Sequence, residues 1–94
     1  MDRAIIEKIL REEGYPSYMI EQTVTKIDNF QPSVKACFEK WVEDGTPPDI
    51  EIGGFTFRRF IEEQDKTPIA AFLALDWLVR EPEIAKVSLS RKTR

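Results

Sequence analysis

Between Thr67 and Val79 the chain reads TPIAAFLALDWLV, with Asp76 as its one charged residue. Thr67 is a favourable N-cap, Pro68 suits the first helical turn, and Pro82 lies just beyond Arg80, so the spacing predicts one helix ending near Arg80. Around its axis Ile69, Phe72, Leu73, Leu75, Trp77, Leu78 and Val79 point in nearly every direction. A helix that is apolar all round has to be surrounded. Its longest apolar run, Ile69 to Leu75, is far short of the roughly 20 residues needed to cross a bilayer, so a membrane is not the expected surrounding. The rest of the chain is, with Asp76 and Arg80 pairing at i, i+4 along one wet edge. The alternative is a homodimer that covers one side of this helix, with Phe72 and Trp77 at the interface.

Other helices follow from the same periodicity. Ile5, Ile6, Ile9 and Leu10 recur at helical spacing between Asp2, a plausible N-cap, and Gly14, a plausible stop. Pro16 opens a second helix to about residue 28, with Met19, Ile20, Val24 and Ile27 as its stripe. Pro32 opens a third, in which Val34, Cys37, Phe38, Trp41 and Val42 follow the amphipathic template until Gly45. The expected fold is mainly α, a compact bundle of about five helices.

GTPPD at 45–49 is a stiff connector rather than a domain boundary, because neither half of a 94-residue chain would comfortably bury a core alone. The expected organisation is one helical domain. It comprises a three-helix unit over 1–45, a Pro/Gly connector over 46–54, a helical pair over 55–90 around the central apolar helix, and a basic tail over 91–94. The stretch DIEIGGFTF has two physical solutions. Gly53–Gly54 can form a tight hairpin turn into Phe55–Thr56–Phe57. Alternatively Thr56 caps a helix whose stripe is Phe57, Phe60 and Ile61, with Phe55 and Phe60 as a hydrophobic staple. We favour the second, which leaves a short strand near 50–52. Residues 86–90, where Val87 and Leu89 alternate with serine, are its expected partner.

The reactive inventory is thin. Histidine is absent, which removes the commonest general base and metal ligand near neutral pH. Cys37 lies on the apolar stripe of the third helix and reads as a core thiol; a single cysteine cannot form an internal disulfide, which fits a reducing, cytoplasmic setting. Glu62, Glu63 and Asp65 read as a solvated face, and Gly53–Gly54 lacks the lysine and longer glycine spacing of nucleotide loops. We expect no enzymatic activity, no metal and no cofactor.

Charge is unevenly placed. Lys86, Arg91, Lys92 and Arg94 contribute four positive charges with no acid after Ala85, so from a total of −3 the first 85 residues carry −7. The acidic body repels phosphate backbones at long range, and the tail supplies only a modest, salt-sensitive attraction.

Residues 56–80 resemble a helix-turn-helix in spacing, with Thr67–Pro68 opening the second helix after a turn at Asp65–Lys66. That resemblance implies a DNA-associated regulatory protein, with Arg58, Arg59, Lys86, Arg91 and Lys92 as phosphate contacts. The early positions of the second helix, Ile69, Ala70, Phe72 and Leu73, cannot hydrogen-bond base edges. In the N-terminal half, the loop Glu13–Gly14–Tyr15–Pro16 and a third helix carrying Phe38, Trp41 and Val42 resemble the small ubiquitin-associated three-helix domain, without the methionine of its loop. This resemblance implies a three-helix shape and no particular partner. Exposed aromatics point better to a partner surface, and serve equally well as lids over a small core: Tyr15 and Tyr18 flank the start of the second helix, and Phe30 sits in a loop beside Pro32. The sequence therefore favours a small non-enzymatic protein–protein interaction domain with an unidentified protein partner, and a DNA-associated protein as the alternative.

Overall fold

The computed structural model describes residues 2–91 as six helices and a two-stranded hairpin. Helix α1 (Arg3–Glu12) starts where the Asp2 carboxylate accepts the Ala4 N–H at 2.9 Å and buries Ile6 and Leu10 one turn apart. It stops at Gly14, whose φ of 90° lets Gly14 N–H reach the Arg11 carbonyl and Tyr15 N–H the Leu10 carbonyl. Those two bonds are a Schellman ending, which satisfies carbonyls that the helix itself leaves open. Helix α2 (Ser17–Asp28) buries Ile20, Thr23, Val24 and Ile27, and the Thr23 hydroxyl donates to the Met19 carbonyl at 2.8 Å. Helix α3 (Pro32–Asp44) buries Val34 and Phe38.

The two expectations for DIEIGGFTF are both realised. Strands β1 (Glu51–Ile52) and β2 (Phe55–Thr56) pair antiparallel across Gly53–Gly54, whose φ values of 59° and 86° suit a primed hairpin turn. Thr56 also caps α4 (Phe57–Glu63), its hydroxyl accepting the Arg59 N–H at 3.0 Å, and Phe55 stacks on Phe60 with ring centroids 5.5 Å apart. Residues 86–90 are not the partner of 50–52. They belong to a sixth helix, α6 (Pro82–Ser90), which buries Ala85 and Leu89 against its neighbours. A two-residue turn closes far more cheaply than a loop of over thirty residues, so the local strand wins.

Helix α5 (Pro68–Arg80) is the centre of the structure. It packs on α3, α4, α6 and β1, and Ile69, Phe72, Leu75 and Leu78 are fully buried. Phe72 meets Phe38 edge-on at 5.1 Å, Phe57 at 5.0 Å and Trp41 at 5.5 Å, so side chains from α3 and α4 converge on one ring. Here the three N-terminal helices differ from a self-contained unit: the apolar end of α3 turns inward to α5 instead of closing a separate core. The buried apolar side chains form one cluster drawn from every helix. Among the described residues no helix is long and apolar enough to cross a membrane.

Two helix starts are capped from a distance. Pro68 has no N–H, Ala70 N–H goes to Thr67 Oγ1, and the intervening Ile69 N–H donates to Glu13 Oε1 at 3.0 Å, 56 residues away. At α3 the residue that could complete a capping box is Val34, which is buried and has no acceptor. Asp76 of α5 takes that role, accepting the Gln31 N–H at 2.8 Å.

Candidate functional site

The residues singled out in the sequence scatter over the molecule. Tyr18 stands out from α2 with 81 % of its surface exposed. Tyr15 is half-buried in the α1–α2 turn, and burial, with the Glu13 carboxylate nearby, pushes its phenol above the ordinary range. Phe30 is not on the surface. It is 5 % exposed and packs edge-on against Phe38 at 5.7 Å. Its burial follows from the pinning of its neighbours: Asp76 holds Gln31, and Arg80 donates to the Asn29 carbonyl. Phe72 is fully buried within its own chain, whereas Trp77 is half-buried and lines a groove.

The candidate phosphate contacts are already engaged or lie apart. Arg58 pairs with Glu62 at 2.8 Å, and Arg59 lies 3.8 Å from Glu63. Arg59 also donates to the Gly54 carbonyl at 3.0 Å and sits 4.5 Å above the Phe55 ring, so it braces the hairpin. The stem of Lys86 crosses Gly53, where a side chain on that residue would collide with it. Arg91 is exposed at the end of α6, and Lys92, with the rest of the tail, lies outside the described residues.

The main concavity is a groove of about 660 Å³ between the second half of α2, the outer side of α5 and Leu89 of α6. Its floor explains the puzzle of the apolar helix. Ala70, Leu73 and Trp77, spaced i, i+3, i+7, are α5 side chains that their neighbours leave half-covered, and small Ala70 and Ala74 keep that floor concave. Lys26, Lys66, Arg80 and Glu81 also line it. Asp76 lies at one end, tied to Arg80 at 2.7 Å and to Gln31, so its charge is committed to the protein. Thr25 and Lys26 line both this groove and a shallower hollow beside Tyr18, Glu21 and Gln22. The two form a continuous surface along α2 from Tyr18 to Asn29.

Sequence reasoning did not isolate this groove. The Ala70–Leu73–Trp77 stripe was visible in principle, but other apolar residues on every side of the same helix hid it. Elsewhere, Glu13 sits half-buried between Thr67 and the Ile69 N–H, and burial raises its carboxyl above the usual value despite those hydrogen bonds. Cys37 is half-buried against the core as a free thiol, and among the described residues no three metal-ligating side chains gather. Comparison with protein-family models, curated protein sequences and solved structures gives no match to this chain.

Proposed function

We propose that this protein is a small, non-enzymatic, cytoplasmic interaction domain that receives a segment of a partner protein in the α2–α5 groove, with Tyr18 as an anchor at its open end. The observation that carries this reading is the half-covered stripe Ala70–Leu73–Trp77, which floors a groove on a helix whose Ile69, Phe72, Leu75 and Leu78 are fully buried. Interface centres combine aromatic anchors with desolvated apolar floors, and here a half-buried tryptophan and an exposed tyrosine border one surface. Lys26, Lys66 and Arg80 outnumber Asp76 and Glu81 around the groove, and this small positive excess favours a segment with an acidic residue beside its apolar contacts. A DNA-associated role draws less support, because Arg58 and Arg59 are matched to acids and the second helix of the helix-turn-helix-like segment is largely enclosed.

The test is selection of a displayed peptide library on the folded protein, followed by amide shift mapping with the peptides recovered. Peptides should perturb α2 and the outer side of α5. Tyr18→Ala, and Ala70→Leu, which fills the floor, should each weaken binding by at least about tenfold. Perturbations on another face, or unchanged affinity in both variants, would overturn the assignment.

A further inference from the structure

Two exposed aliphatic side chains stand together on α6, away from the groove: Ile84 at 61 % and Val87 at 57 % exposure. They share a hollow with Glu83, Ser88 and Arg91. The opposite side of α6 holds Ala85 and Leu89, both buried, so the helix is fixed by its own chain and presents this face ready-formed. Positions 84, 87, 88 and 91 follow the i, i+3, i+4, i+7 spacing of a helix face that packs on another helix.

We infer that this face is a two-fold self-association surface, on which α6 of one copy packs antiparallel to α6 of a second. Charge register identifies the occupant. Glu83 and Arg91 lie eight positions apart, about 12 Å along the axis, too far to pair within one helix, and neither is in an ion pair among the described residues. An antiparallel copy centred on Val87 sets residue 83 opposite residue 91. Glu83 then meets Arg91 of the partner subunit, Arg91 meets Glu83 of the partner subunit, and the two Val87 side chains meet on the axis. Both ion pairs close at once, as an isologous interface requires. The face carries one charge of each sign at its two ends, which suits its own image. One short helix per copy gives an interface at the small end of the specific range, so the expected dissociation constant is on the order of 0.1–1 mM.

Sedimentation equilibrium up to about 1 mM protein tests this directly. The wild type should self-associate to a dimer in that range. Val87→Glu and Val87→Lys each place like charges on the axis and should weaken the dimer at least about tenfold, whereas an equimolar mixture of the two should recover a heterodimer. Both changes fall on an exposed position, and far-UV circular dichroism checks that each variant folds. If either did not fold, a charge exchange tests the same contact independently: Glu83→Arg alone should weaken association and Glu83→Arg with Arg91→Glu should restore it. A wild type that stays monomeric throughout overturns the inference. So does a dimer indifferent to these substitutions, which would place self-association elsewhere.

Discussion

Replacing Asp76 should reveal how much of the structure hangs on one side chain. Its carboxylate accepts the Gln31 N–H at 2.8 Å and binds Arg80 at 2.7 Å, with the residue 9 % exposed. A hydrogen bond from a backbone N–H to a charged acceptor contributes about 1.5–3 kcal/mol, and truncation also strands a part-buried donor. The ion pair adds less, because the Arg80 side chain is 40 % exposed and water can replace its partner; about 0.5–1 kcal/mol is reasonable for it. Asp76→Ala should therefore cost about 2–4 kcal/mol. Asp76→Asn keeps an acceptor oxygen for Gln31 and loses only the charge, so about 1–2 kcal/mol is expected. Arg80→Ala should fall in the same lower range. Urea denaturation followed by circular dichroism measures all three, and for a domain of this size the alanine variant should melt roughly 10–20 °C lower. If Asp76→Ala cost less than about 1 kcal/mol, or Arg80→Ala cost as much as Asp76→Ala, the hydrogen bond to Gln31 would not be the dominant contribution of this side chain.

Further expectations concern the core and pH. Phe72→Ala removes the ring on which Phe38, Trp41 and Phe57 converge and should destabilise by about 3–5 kcal/mol in the same assay, more than Asp76→Ala. The raised Glu13 pKa means that the folded state binds its proton more tightly than the unfolded state, for which the ordinary value is 4.5. Its contribution is then fully present below 4.5 and is lost as pH rises through the folded value, so wild-type stability relative to Glu13→Gln should fall between acid and neutral pH. Denaturation of both proteins across that window checks the sign, and a relative gain in wild-type stability with rising pH would refute it.

The parts of the fold that could be read from sequence are those written locally. Asp2, Pro32 and Thr67–Pro68 mark helix starts through the geometry of their own side chains, and Gly14 marks a stop through a backbone angle that glycine adopts freely. Helix α6 escaped because its apolar residues serve two faces. Ala85 and Leu89 go inward while Ile84 and Val87 stay outside, and the alternation of Val87 and Leu89 with serine imitates a strand. The hairpin and the cap compete only if each is long; two paired residues suffice, and Thr56 belongs to both. For the candidate site, the exposure of Tyr18 was legible from its place outside the α2 stripe. The burial of Phe30 was not, since its position depends on Asp76 and Arg80, which lie far along the chain.

The distant caps at Glu13 and Asp76 tie three helices into a sequence of dependence. The central helix α5 obtains an acceptor for its first turn from the end of α1, and it lends one in turn to the start of α3. First-turn amides normally exchange with solvent through local fraying, since nothing within the helix holds them. In this protein the Ile69 and Gln31 amides are held by side chains 56 and 45 residues away, so their release requires the loss of a contact between helices as well as fraying of one helix end. Deuterium should therefore enter these two helix beginnings more slowly than the start of α2, which has no side-chain cap, so that the opening of one helix end is felt in another.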